Sequence, residues 1–299
     1  MNKKIRKASW FILILLTLAQ FMVVLDSSIV NVMLPTVQKA FQITESNLQW
    51  IITAYTITFG GFLLLGGRAA DLFGRKKVFL LGVTVFTIAS LIDGMSQSST
   101  MLIIVRAIQG LAGAFMSPSA LSIILVTYKE GHARNVALSV WGAVAAGGAA
   151  AGVLLGGIIT QYLGWRWNFF INVPIGIFVV ISAFKMLPKH ESEETHSDLD
   201  LPGAISITAS LMLLVYGLVE APTNGWLSHS SLLYFGLSAL LMLFFIVNEH
   251  RVKNPLMPLS IFKIRNVSGA NIMQLLIASS LFSLFFFITL YVQDILYYF

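Results

Sequence analysis

The sequence predicts an all-α polytopic membrane protein, and three observations carry that reading. Of its 299 residues 57% are hydrophobic and only 11% are charged, where soluble domains carry roughly 25% charge. Mean hydropathy is +0.83, and so little charge cannot cover a globular surface of this size, so lipid is the main solvent. The apolar residues are gathered into long runs, and about 20 such residues cross the hydrocarbon of a bilayer. Cysteine is absent, which excludes disulfide scaffolds, thiolate catalysis and cysteine zinc sites.

Nine transmembrane helices are expected. Trp10–Leu34 follows a basic N-terminal stretch. It is long, lacks a small-residue cleavage site and is followed by many more spans, so it reads as an uncleaved first helix rather than a signal peptide. Leu48–Gly66 ends at a charged loop, and Val78–Met95 begins after Arg75, Lys76 and Lys77. Met101–Val126 carries Arg106, and Val136–Tyr162 is rich in glycine and alanine. Phe169–Leu187 follows an aromatic boundary. Gly203–Val219 and Ser231–Val247 are the shortest and contain no charge, and Val267–Val292 is the last.

Orientation follows from the connecting segments. With the N-terminus in the cytoplasm, 16 of the 19 lysines and arginines fall on the inner side, and only Lys39 and Arg166 fall outside. The basic excess of +6 is therefore explained by topology, with no nucleic-acid partner implied. The polar segment 188–202 separates six helices from the rest and marks a boundary. It divides the chain into residues 1–187, a linker over 188–202, two further helices within 203–248, and a remainder over 249–299. His190 and His196 sit in that linker beside Glu191, Glu193 and Glu194. They read as a solvated loop, since histidine ligands need a fixed second shell. No metal or cofactor is expected.

Polar chemistry enters the membrane at two places. Asp26 lies two thirds of the way along the first span, in FMVVLDSSIVNVMLP. A charge at the centre of a bilayer costs about 2.5–3.5 kcal/mol on insertion scales, so such residues face a cavity and do work. A desolvated carboxyl there can take and release a proton; the alternative is that it holds helices together by hydrogen bonds. Arg106, in RAIQGLAGAF, needs an anion or a set of carbonyls if buried. Asp26 is one candidate partner, Gln109 lies a turn away, and the alternative is a guanidinium snorkelling to the interface.

Other features are more local. In GGRAADLFGRKK, Asp71 with Arg75 and Lys76 would form a charge cluster, with Gly67 and Gly74 permitting a tight turn. In the fifth span Gly148, Gly152 and Gly156 share one helical face that lets two backbones approach closely. Trp165, Trp167, Phe169 and Phe170 read as an interfacial aromatic belt. Asp93 and Glu220, at span ends, are expected in water. No nucleophile–base arrangement, metal motif or nucleotide fold is apparent, so an enzyme is not expected.

These motifs resemble the major facilitator superfamily, specifically its fourteen-helix drug:proton antiporter branch. LDSSIVNVMLP (Leu25–Pro35) is similar to that branch's first-helix motif, and GRAADLFGRKK (Gly67–Lys77) resembles the signature loop between helices two and three. RAIQGLAGA (Arg106–Ala114) resembles the fourth-helix motif. GVLLGG (Gly152–Gly157) with WRWNFFINVPIG (Trp165–Gly176) resembles the fifth-helix antiporter motif and its flank, with Val153 where that motif has proline.

The resemblance implies a six-helix bundle, two linker helices and the first helix of a second bundle. It implies that Asp26 couples protons with support from Arg106, and that Gly67, Asp71, Gly74, Arg75 and Lys76 form a cytoplasmic gate. Gly148, Gly152, Gly156 and Gly157 would form the antiporter packing motif. The implied activity is proton-driven export of small amphipathic organic compounds or drugs across a plasma membrane, in bacteria the inner membrane, by alternating access. The family has about five more helices, so the chain is expected to be an N-terminal portion. Two alternatives remain open: an exporter of one dedicated metabolite or antibiotic, and a truncated membrane protein without transport activity.

Overall fold

The computed structural model describes residues 3–187 and 200–290. Among these the long elements are all helices: α1 (Lys3–Phe41), α2 (Glu45–Phe73), α3 (Arg75–Gly94), α4 (Ser99–Thr127), α5 (His132–Tyr162), α6 (Trp167–Phe170), α7 (Asn172–Met186), α8 (Leu201–Asn224), α9 (His229–Arg251) and α10 (Arg265–Leu290). Eight spans, counting α6 and α7 as one, are long and apolar enough to cross a membrane. α10 takes the place of the predicted ninth span. The linker residues 188–199, with the His190 and His196 cluster, lie outside the described residues, as do 291–299.

Local chemistry sets the boundaries. Thr44, Ser98, Asp200 and Ser228 each accept a hydrogen bond from a backbone N–H of the first turn of α2, α4, α8 and α9. Such caps contribute about 1 kcal/mol each. α2 and α3 instead meet at Gly74, whose φ of 94° favours glycine. Gly67 does not take part in this turn; it lies within α2. The predicted sixth span is interrupted because Pro174 has no N–H to offer the carbonyl of Phe170, four residues earlier, so α6 ends there and α7 begins. The first span, expected to end at Leu34, continues through Pro35 to Phe41 in α1. α5 runs unbroken through Val153.

Packing pairs α1 with α5, α2 with α4, α3 with α4, and α8 with α9. Small residues set the closest approaches. A Cβ on Gly66 would lie 2.1 Å from the carbonyl oxygen of Ala114. That carbonyl is the one Pro118 leaves without an intrahelical donor. α8 leans on α2, where Thr208 donates to the Gly61 carbonyl at 2.9 Å and Trp50 packs on Tyr216.

The interior is layered. One apolar cluster joins Leu16 and Met22 of α1 with Phe79 and Phe86 of α3, Met116 of α4 and Val179 of α7. A second joins Ile29 and Met33 of α1 with Ile51, Leu102, Trp165 and Phe169. Along α1 the two are separated at Asp26. Outside, large apolar side chains such as Leu154, Phe184 and Leu240 are more than 60% exposed, the surface of a protein whose solvent is hydrocarbon.

Candidate functional site

The layer between the two apolar clusters is polar. Asp26 comes from α1, Ser90 and Asp93 from α3, Arg106 and Gln109 from α4 and Asn172 from α7, all buried. Their spacing follows from helix geometry: Arg106 and Gln109 are three apart and share a face. The Arg106 guanidinium pairs through Nη1 with Asp26 Oδ2. The same nitrogen donates to Gln109 Oε1 at 2.6 Å, and Nε donates to the Ile51 carbonyl at 3.3 Å. Gln109 Nε2 in turn donates to Asp26 Oδ1 at 3.0 Å and to Ser90 Oγ at 2.7 Å. Asn172 Nδ2 donates to Asp26 Oδ1 at 3.3 Å. The guanidinium also stacks over the Tyr55 ring, 4.2 Å from its centroid, with Phe169 at 6.0 Å.

This arrangement makes an otherwise costly pair tolerable. A buried ion pair offsets its desolvation only when its remaining lone pairs and protons find partners, and Asp26 accepts from three side chains on two other helices. Arg106 is 1% exposed, so the snorkelling alternative does not hold.

Several expectations require correction. Asp93 is not in water: it is fully buried, and neither carboxylate oxygen has a hydrogen-bond partner. The position at a predicted span end concealed this, because the helix end is covered by α6, with the Phe170 ring against Gly94. Trp165 and Phe169 do not form an interfacial belt; both are buried, Trp165 edge-on to Phe41 and Phe169 facing Arg106. Trp167 is half exposed. Glu220, expected in water, is partly exposed in the last turns of α8, where Asn224 donates to it at 2.9 Å. Tyr55 and Asn172 also belong to the layer: Tyr55 carries no charge or motif that singles it out in the sequence, and Asn172 lies within the WRWNFFINVPIG stretch without being marked as a site residue.

At the α2–α3 end, Arg75 donates to Asp71 Oδ1 from Nε and Nη2, both at 3.3 Å. Lys76 does not join them. Its ammonium binds the carbonyls of Phe184, at 2.9 Å, and Leu187, at the C-terminal end of α7, where cations complement orphan carbonyls. On α5, Gly148, Gly152 and Gly156 face Val24, Ser28 and Ile29 of α1, while Gly157 faces open space and takes no part in that packing.

The sequence profile described as Major Facilitator Superfamily matches residues 16–298. The chain belongs to that superfamily. Its relatives include the puromycin resistance protein of Streptomyces alboniger, 39% identical over 96% of this chain and 57% of that one. The cephamycin export protein of Amycolatopsis lactamdurans is 39% identical over 95% and 59%. The chain thus spans somewhat more than half the length of these curated relatives. Among solved structures, a bacterial homologue of the human lysosomal transporter Spinster, inward-facing and occupied, superposes with a TM-score of 0.55. It is 18% identical, over 81% of this chain and 59% of that one. A peptide transporter in complex with sulfate gives 0.57 at 16% identity, over 81% and 52%. These two likenesses establish the major facilitator fold.

Proposed function

We propose that these residues form the proton-coupling half of a drug exporter of the fourteen-helix antiporter branch, in which residues 1–187 supply the first six-helix bundle. One observation carries the reading: Asp26 is buried among four helices with its charge matched by Arg106. Protonating Asp26 would cancel that match and release the Arg106 guanidinium of α4 from its ion pair with α1. A carboxylate whose protonation upsets the packing of four helices is suited to shift a balance between inward- and outward-facing states. The N-terminus lies in the cytoplasm, and the Asp71–Arg75 pair together with the Lys76 tie to α7 latches that side in one state. The chain's similarity to resistance and export proteins supports a small organic cargo.

The test is Asp26→Asn in the complete protein. Asparagine keeps the shape and one of the two acceptor oxygens but carries no proton-dependent charge. Drug export driven by a proton gradient should fall to background while the protein remains in the membrane at wild-type level. Unchanged export removes Asp26 from the coupling role.

A second reading concerns the breadth of the cargo. The names of several relatives specify a single antibiotic, among them puromycin, cephamycin and tetracenomycin C, which favours a dedicated exporter. The same strains exposed to a panel of unrelated drugs separate the two: protection against one compound supports the dedicated exporter, and protection against many supports the broad one.

A further inference from the structure

The polar layer holds a carboxyl group that the reading above does not use. Asp93 lies on α3 three residues beyond Ser90, which is hydrogen-bonded to Gln109. The other buried carboxylates among the described residues are all supplied with donors. Asp26 accepts from Arg106, Gln109 and Asn172. Asp200 accepts from Gly203 N and Asn248 Nδ2. Glu249 accepts from Leu256 N and Met257 N. Asp93 is as buried as Asp26, yet both of its oxygens lack a partner. A carboxylate is an acceptor only, whereas a carboxylic acid is also a donor. Asn168 and Asn172, on α6 and α7, each have a buried amide oxygen without a donor.

Charge matching points the same way. α3 packs against α2, α4, α6 and α7. The charges acting on Asp93 are Arg106 from α4 and, beyond it, Asp26 from α1; α2 brings Tyr55 to the same guanidinium. Arg166, just before α6, is turned to the Ser96 carbonyl at 3.0 Å, and Lys185 lies at the far end of α7. One guanidinium, already paired with Asp26, therefore serves two carboxyls. Ionising both would leave one unmatched negative charge buried among packed helices.

We infer that Asp93 is a second proton-binding site, holding a proton while Asp26 is ionised and paired with Arg106. When Asp26 takes up a proton, Asp93 releases its own and becomes the counter-charge of Arg106. One proton enters, one leaves, and the layer keeps one positive and one negative charge throughout. The exchange step rests on the coupling role proposed for Asp26; the resting proton on Asp93 does not.

Infrared spectroscopy of the complete purified protein at neutral pH reads that proton directly, because the carbonyl stretch of a buried carboxylic acid is separate from carboxylate and amide bands. The wild type should show this band. Asp93→Asn should lose it, and Asp93→Glu should keep it at a shifted frequency. Asp26→Asn should lose it as well, because Asp93 is then the counter-charge left to Arg106; a band kept in Asp26→Asn overturns the exchange. No band in the wild type, or a band that survives Asp93→Asn, overturns the proposal. Should Asp93→Asn not fold, Asp93→Glu decides: an unshifted band places the proton elsewhere and overturns it equally. Export unaffected by Asp26→Asn while the Asp93 band behaves as expected would remove the coupling role alone.

Discussion

At the residue scale, the central fact is that two opposite charges with complementary hydrogen bonds occupy one buried layer. Breaking a buried pair by removing one partner costs about 3–5 kcal/mol, because the other charge stays behind unmatched. Arg106→Gln should therefore sharply lower the thermal unfolding midpoint in detergent. The double variant Asp26→Asn with Arg106→Gln leaves no unmatched charge and should recover most of that loss. A double variant no more stable than Arg106→Gln would show that the guanidinium contributes through its stacking on Tyr55 rather than through Asp26. Arg106→Lys should not substitute, since an ammonium cannot reproduce the planar fork that reaches Asp26, Gln109 and the Ile51 carbonyl together.

At the scale of the element, the glycines of α5 divide by face. A Cβ on Gly152 would sit 2.5 Å from Ser28 Cβ and 2.9 Å from the Leu25 carbonyl oxygen, whereas one on Gly157 meets nothing within 4 Å. Gly152→Ala must therefore push α5 away from α1 beside the Asp26 layer. Gly157→Ala adds helix propensity of about 1 kcal/mol at no steric cost. The expected result is a lowered midpoint and impaired export for Gly152→Ala, and a midpoint unchanged or raised for Gly157→Ala. Equal behaviour of the two would mean that the α1–α5 contact is not close-packed. The separation of Lys76 from Asp71 is also a matter of elements: α3 turns Lys76 toward the end of α7, while Arg75, four residues from Asp71, stays on the α2 side.

For the whole molecule, the distribution of lysine and arginine predicts the orientation, and the absence of cysteine makes it directly measurable. Single cysteines at Lys129 and Lys39, both exposed, should react differently in intact cells. An impermeant thiol reagent should label the Lys39→Cys protein from outside and reach the Lys129→Cys protein only after the cells are opened. The reverse pattern would invert the topology and place the Asp71–Arg75 pair on the external side. Two apolar clusters lie on either side of one polar plane, so under the coupling role proposed for Asp26 a proton must pass packed side chains or wait for helices to part.

Much of this molecule is legible in its amino-acid sequence. Apolar runs of the length a bilayer requires determine the number and order of the helices, and the cost of a charge in lipid singles out Asp26 and Arg106. Spacing by 3.6 residues puts Gly148, Gly152 and Gly156 on one face of α5. Sequence does not decide which distant residues meet. Whether Asp93 lies in water depends on a covering ring from α6, and whether Trp165 lies at the interface depends on Phe41 at the end of α1. Periodicity and hydropathy report what a residue's own helix does. Burial of a helix end, the partner of a guanidinium, and the lack of a partner for Asp93 are set by neighbours from elsewhere in the chain, and only tertiary packing brings those together.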